Sequence, residues 1–307
     1  MFNLLKSDFY RALRSISLWV CLGLLVAVIA AAAFSMNYLC SPEFAQLVQN
    51  TMTEESLEGM TDEEKAQTIA DGQEAIEEVQ SLNMKELASP TDLWANVFVD
   101  GGLVGLLGSM FVALFLAQDF KSGFARSLPM DRRGRLSYFG EKLLFVAIIQ
   151  LVFLLVAALV ASGLFGVLGF TYLATDSAGG IALWLALAWL VSCAYAFIVA
   201  WLVWLLRSDT VGVVAAVAVS TGAAGSIAAS VLNYFAHGIA WLGAVPSWML
   251  VSAFTDLRHG AAGLVEGAPI AALPMVNPTG QVMLLCAIYM ALSLAVVFAV
   301  CRKQDIK

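Results

Sequence analysis

One short stretch of the chain concentrates the side chains best suited to ionic chemistry. Residues 117–142, AQDFKSGFARSLPMDRRGRLSYFGEK, hold six of the sixteen Lys and Arg residues of a chain whose net charge is −7. The segments on either side carry almost no charge. Positive charge of this kind retains a loop on the cytoplasmic side of a membrane, and this alone is a sufficient reason for the cluster.

Residues for catalysis or metal binding are scarce. The two histidines, His237 and His259, have no metal-ligand spacing, and the chain contains no HExxH, no glycine-rich phosphate loop and no GxSxG. The five cysteines show no CxxC pair and lie mainly in apolar segments, where cysteine is usually a small packing residue. We therefore expect no enzymatic activity, no catalytic residue, no metal and no cofactor on this chain.

The composition is that of a polytopic membrane protein. Of the 307 residues 61% are hydrophobic and only 13% are charged, too few to cover a water-soluble domain of this size. Because about 20 apolar residues in a helix cross the hydrocarbon layer, six transmembrane helices are predicted. Their residues are 18–39, 97–118, 143–169, 181–206, 211–235 and 282–301.

The distribution of Lys and Arg predicts the orientation. Thirteen of these residues fall in the N-terminal segment, the 119–142 loop, the loop near Arg207 and the 302–307 tail, against three in the other connections. By the positive-inside rule both termini are cytoplasmic, in a cell membrane. A cleaved signal peptide is the alternative for the first span, which contains AAAFS, but its length favours a membrane helix.

Three regions outside the spans have a predicted form. Residues 1–17 form an interfacial amphipathic helix, residues 40–96 an acidic extracytoplasmic helical insertion, and residues 236–281 re-entrant or surface-lying outer helices. One face of the first helix carries Leu5, Phe9, Leu13 and Ile16. An uncharged piece at 238–255 is long enough for a seventh span, but a seventh crossing would place the basic tail outside. The overall prediction is an all-α polytopic protein with these additions.

Small residues at intervals of four predict close helix packing in two spans. The stripes are Gly101, Gly105 and Ser109 in the second span, and Gly222, Ser226 and Ser230 in the fifth. They suit either packing within one chain or an interface between subunits.

These parts, in this order, make the chain resemble the membrane subunit of an ABC-2 type exporter. The resemblance covers nearly the whole chain and is most specific in AQDFKSGFARSLPMDRRGRLSYFGEKLL. Family members carry there an acidic residue, a glycine, a proline or short turn, basic residues and a lysine that opens the third span. The matching positions are Asp119, Gly123, Pro129, Arg132 with Arg133, and Lys142.

The resemblance implies that the 119–142 loop contains a coupling helix that docks on a separate ATP-binding subunit. Candidate docking residues are Asp119, Phe120, Gly123, Phe124, Arg126, Arg132 and Arg133. Phenylalanines would supply apolar anchors, and arginines would pair with acidic groups on the partner. ATP and Mg²⁺ would bind to that partner, and a second membrane subunit, identical or related, would complete the translocation path. No nucleic-acid partner is expected.

Two other classes remain open. A stand-alone secondary carrier would show internal repeats and interrupted helices with polar groups at mid-membrane. A sensor or scaffold would use the acidic outer segment to bind a ligand and would not need the basic loop to contact an ATPase.

Overall fold

The computed structural model describes residues 2–41, 43–44, 85–99, 101–122, 132–236, 245–266 and 277–303. Within these ranges the chain is mainly α-helical. Most of the predicted outer insertion, the centre of the basic loop and the C-terminal tail lie outside the described residues.

Two helices begin the chain and meet at a corner. Helix α1 covers Phe2–Arg14 and helix α2 covers Ile16–Leu39. Ser15 separates them, and its hydroxyl accepts a hydrogen bond from the Leu18 amide, which caps α2. On α1, Asp8 and Ala12 are buried against the bundle, whereas Leu13 is exposed. The face that packs inward therefore carries a charge, and the interfacial position of α1 stays a prediction.

The segment before the second membrane helix is short and interrupted. Strand β1 is Glu86–Leu87, helix α3 is Pro90–Trp94, and a π-helical turn covers Ala95–Val99. Helix α4 then covers Leu103–Lys121. Gly102 takes a positive φ of 63°, which only glycine adopts at little cost, so the chain changes direction there. The predicted span at 97–118 therefore starts six residues later, at Leu103.

Two long helices follow the basic loop. Helix α5 covers Arg132–Val167 and helix α6 covers Ala178–Leu206. Strand β2, Thr171–Tyr172, lies between them and pairs in parallel with β1, with Glu86 opposite Thr171. Ser177 caps α6 by accepting a hydrogen bond from the Gly180 amide at 3.0 Å.

The predicted fifth span is a broken helix. Helix α7 covers Asp209–Ser220 and helix α8 covers Ala223–Ala236, and the two are bent by 55°. Gly222, with φ of 72°, makes the break possible. Neither half is long enough to cross about 30 Å of hydrocarbon, because an α-helix rises 1.5 Å per residue.

Short helices precede the last long one. A 3₁₀ turn at Pro246–Trp248, helix α9 at Ser252–Leu257 and helix α10 at Gly260–Glu266 lead to helix α11, Pro278–Lys303. The described part of 236–281 thus contains short helices, and their re-entrant or surface-lying position stays a prediction.

Among the residues that the structure describes, five helices are long and apolar enough to cross a membrane, or six if α7 and α8 together form one span. Two of them, α4 and α6, are central, since 67% of the residues in their apolar windows are buried, against 28% in α2 and 33% in α11. Helix α6 packs against α4, α5, α7 and α11. The exposed sides of the outer helices carry large apolar residues, as expected for surfaces that face lipid.

The bundle has two ends, which we call the α1 end and the opposite end. The α1 end contains α1, the last turn of α4, the first turns of α5 and the junction of α6 with α7. The opposite end contains β1, β2, α3 and the short helices α9 and α10.

Candidate functional site

A buried ion cluster lies at the α1 end, where three helices meet. It consists of Asp8, Arg11, Asp119, Tyr138 and Lys142. Two of these residues come from α1, one from the last turn of α4 and two from the first turns of α5. The cluster therefore joins the N-terminal helix to both helices that flank the basic loop.

Lys142 is the centre of the cluster. Its Nζ lies 2.6 Å from Asp119 Oδ2 and also donates a hydrogen bond to Asp8 Oδ2. Arg11 Nη2 donates to Asp119 Oδ1 at 2.6 Å, and Arg11 Nη1 donates to Asp8 Oδ1 at 3.3 Å. The Tyr138 hydroxyl donates to Asp119 Oδ2 at 3.0 Å. Both cations thus contact both aspartates in a closed ring.

The ring of charges is shielded from water. Asp8, Asp119 and Lys142 are each at most 1% exposed, while Arg11 is partly exposed at the rim. Burying charges costs several kcal/mol per ion, and only close pairing with full hydrogen bonding offsets that cost. The short contacts and the number of partners meet that requirement, so the cluster fixes the relative positions of α1, α4 and α5.

Aromatic rings line the cluster on its membrane side. The Arg11 guanidinium lies 5.2 Å and the Lys142 ammonium 5.1 Å from the centre of the Phe115 ring. Phe145 stacks on Phe115 at 4.8 Å, and Phe9 meets Phe145 edge to face at 5.3 Å. These rings add cation–π attraction and separate the charges from the apolar core.

Glu141 lies beside the cluster without a hydrogen-bond donor. It is 1% exposed, and neither carboxylate oxygen has a hydrogen-bond partner among the described residues. Asp8, Asp119 and Lys142 are its charged neighbours. Three carboxylates therefore face two cations, and Glu141 is the carboxylate that accepts no hydrogen bond from either cation.

The chemistry of the cluster is structural and electrostatic. Its groups already pair with one another, and no group of three or more His, Cys, Asp or Glu within the described ranges could hold a metal ion. What the arrangement can do is transmit position, since a displacement of either flank of the loop would carry α1 with it.

The predicted docking residues separate into four groups. Asp119 needs correction, because its side chain is fully buried in the cluster and presents no surface to a partner. Phe120 is partly buried against the core, with the Arg207 guanidinium 5.9 Å from its ring. Arg132 and Arg133 begin α5, which gives them a helical backbone. Three others lie outside the described residues: Gly123, Phe124 and Arg126.

Only part of the stripe of small residues predicted in the second span packs against another helix. A Cβ at Gly105 would lie 3.7 Å from the Ser220 side chain, and Ser109 is buried. Gly101 is exposed, and a Cβ there would have no neighbour within 4 Å among the described residues, so its predicted packing role stays a prediction. Gly102 makes the close contact instead, with a Cβ position 2.1 Å from the Ser220 carbonyl oxygen.

The stripe in α8 packs through different residues. Gly222 lies against Val251, as does Gly225, which the spacing did not single out. Ser226 and Ser230 are exposed, and the Ser230 hydroxyl donates to the Ser226 carbonyl on the same helix. The predicted packing role of these two serines stays a prediction.

A second polar network holds the opposite end. The Asp176 carboxylate accepts hydrogen bonds from the Thr91 amide at 3.0 Å and the Thr91 hydroxyl at 2.7 Å. That hydroxyl also accepts a bond from the Ala261 amide at 2.8 Å. Nearby, Lys85 Nζ donates to Asn37 Oδ1 at 2.9 Å and to the Leu168 carbonyl at 3.0 Å.

Sequence reasoning missed Asp8, and it treated Lys142 as a surface charge that sets orientation. A signal for Asp8 was available: Leu5, Asp8, Phe9 and Ala12 share one helical face, so the acidic residue lies within an inward stripe. An isolated carboxylate on such a face indicates a buried partner.

The fold and the composition define a helical, membrane-embedded protein with a charged cluster at one end of the bundle. Comparisons with protein-family models, with curated proteins and with solved structures found no match.

Proposed function

We propose that the chain is the membrane subunit of an ATP-driven exporter of the ABC-2 type. It would form a translocation path with a second membrane subunit, identical or related, and contact separate ATPase subunits through the 119–142 loop. It would lie in the cell membrane with both termini in the cytoplasm. ATP and Mg²⁺ would act on the partner, so this chain would carry no catalytic residue.

The buried ion cluster carries the proposal. Asp119 lies two residues before the end of α4 and Lys142 lies ten residues after the start of α5, so the two residues flank the connection between these helices. Both pair with α1, so the two flanks of the loop and the N-terminal helix form one rigid unit. A force applied to the loop by a partner would reach three helices at once, as a transporter driven from outside the membrane needs.

A second feature of the same end supports docking on an acidic partner. The loop and its flanks hold the largest group of basic residues in the chain, and Arg132 with Arg133 opens a regular helix. A helical start fixes the backbone spacing of these two arginines, and pairing of such residues with carboxylates on a partner would give the docking its specificity.

The test is co-purification in mild detergent from the native host. Wild type is compared with Arg132→Glu/Arg133→Glu, and with Arg302→Glu/Lys303→Glu as a control that reverses an adjacent basic pair in the tail. We expect wild type and the control to recover an ATPase with a glycine-rich phosphate loop, and the loop variant to lose it.

Recovery of the ATPase with all three chains would support the permease proposal and reject docking through Arg132 and Arg133. Recovery of the ATPase with none of them, under conditions that preserve known complexes, would reject the permease proposal. Size-exclusion profiles of the three chains separate lost docking from misfolding.

A stand-alone secondary carrier is the second candidate, and one observation favours it. The breaks at Gly102 and at Gly222 lie against each other, since the Gly102 backbone contacts the carbonyl of Ser220. Interrupted helices that meet inside a bundle are typical of carriers, where they form binding sites. Transport by the purified chain in liposomes, without any ATPase or ATP, would support this candidate against the exporter.

A further inference from the structure

An open cleft of about 470 Å³ lies at the corner between α1 and α2. Tyr10, Arg11, Arg14, Ser15, Ser17 and Gln118 provide its polar lining. The cleft is beside the buried ion cluster but faces outward, at the level where α1 turns into the first membrane helix. It is therefore open at the depth of the interface rather than in the middle of the hydrocarbon layer.

The cleft contains an unneutralised positive charge. Arg11 is paired with Asp8 and Asp119, so its charge is balanced within the cluster. Arg14 is exposed and makes no ion pair with any residue that the structure describes. Its guanidinium lies 4.4 Å from the centre of the Tyr10 ring, which holds it over the cleft and leaves its donors available.

A continuous apolar surface runs from the cleft along the membrane helix. Leu13 is 58% exposed, Ile16 80% and Trp19 60%, and Val20 continues the strip on α2. The Trp19 indole N–H donates to the Leu13 carbonyl at 2.9 Å, which fixes the angle of the corner. Tryptophan with its N–H near a helix end is typical of the boundary between headgroups and acyl chains.

We propose that this cleft binds the phosphate headgroup of an anionic phospholipid. The Arg14 guanidinium binds the phosphate with charge-assisted hydrogen bonds, and the acyl chains lie along Ile16, Trp19 and Val20. One free cation beside an apolar strip matches an amphipathic anion, since a small soluble anion would make no use of the strip. The site does not depend on the exporter proposal, because it uses neither the loop nor a partner subunit.

Native mass spectrometry of the full chain in detergent tests the site. The probes are phosphatidylglycerol and phosphatidylcholine with the same acyl chains, and glycerol phosphate as a headgroup without chains. The variants are Arg14→Gln, which removes the charge and keeps a polar side chain, and Lys6→Gln, which removes an exposed charge from α1 outside the cleft.

We expect wild type to retain one phosphatidylglycerol in preference to phosphatidylcholine, and Arg14→Gln to weaken this binding roughly five- to tenfold, since a cation near an anionic surface contributes about 1 kcal/mol or somewhat more. Lys6→Gln should bind as wild type does. Equal binding of phosphatidylglycerol by Arg14→Gln and wild type would overturn the site. Equal retention of phosphatidylcholine, or displacement of the lipid by millimolar glycerol phosphate, would overturn the assignment to an anionic lipid.

Discussion

Replacing Lys142 by Met should be among the most damaging single changes in the bundle. The substitution keeps an unbranched side chain but removes the cation that contacts Asp8 and Asp119. Two buried carboxylates would then share Arg11 alone. Loss of one partner from a buried ion pair costs about 3–5 kcal/mol, because the remaining charge stays desolvated and unpaired. For a chain of this length, about 2 °C per kcal/mol gives a fall in Tm of roughly 6–10 °C.

Two matched variants make the prediction specific. The ion pair between Lys121 and Asp209 has the same 2.6 Å length, but Lys121 is 64% exposed. Lys121→Met should therefore change stability by at most about 1 kcal/mol. Glu141→Gln keeps the shape of a buried carboxylate that accepts no hydrogen bond. This substitution should therefore leave stability unchanged or increase it, whereas the neighbouring Lys142→Met should decrease it.

Thermal unfolding with a thiol-reactive dye measures all three variants in one detergent at one scan rate. Cys21, Cys193 and Cys286 are free and buried, so they react when the bundle opens. A Tm for Lys142→Met within 2 °C of wild type would refute the central role of the cluster. So would an equal loss in Lys121→Met, because burial would then not decide the cost.

Three further predictions concern the opposite end and the helix breaks. Gly102→Ala should destabilise the protein by at least about 2 kcal/mol, because the new Cβ would lie 2.1 Å from a backbone oxygen and the φ of residue 102 is 63°. Gly101→Ala should leave stability unchanged, because a Cβ there meets no described neighbour. Thermal unfolding of the two variants compares these adjacent glycines. Burial raises the pKa of Asp256 from 3.8 to about 6, so the folded state holds its proton over that range, and stability should fall as pH rises from 4 to 7. Asp256→Asn should remove that fall and stabilise the protein at pH 8 by roughly 1–3 kcal/mol, measured as Tm against pH. Thr91→Val should cost about 1–3 kcal/mol, because the Asp176 carboxylate and a backbone amide lose a shared hydroxyl; an unchanged Tm would show that water replaces it.

The positions of the long helices could be predicted from the sequence because hydropathy over some 20 residues is a local property. The first, third, fourth and last spans agree with α2, α5, α6 and α11 to within about a dozen residues at either end. The breaks could not be predicted in the same way. The mean hydropathy of some 20 residues does not reveal a break at residues 220–222. Helix α7 ends there because Gly222 has a positive φ and because the backbone at Gly102 lies against Ser220.

The buried ion cluster was beyond reach for a related reason. Asp8 and Lys142 are 134 residues apart, and each alone has the pattern of an ordinary interfacial charge. Counting Lys142 among the surface cations was reasonable by charge bias, but its burial depends on two partners on other helices. Only the contacts among three helices show that Lys142 has a structural role besides its contribution to the charge bias that sets orientation.

The two ends of the bundle are held by different kinds of interaction, and this decides where the protein can change shape. At the α1 end, separating α1 from α4 and α5 would leave buried charges unpaired, at a cost of several kcal/mol. At the opposite end, the described polar contacts are mainly single hydrogen bonds, each worth about 0.5–1.5 kcal/mol net and up to about 3 where a charge takes part. The helix breaks at Gly102 and Gly222 also lie outside the ion cluster. We therefore expect the α1 end to move as one body, and the opposite end to rearrange more readily.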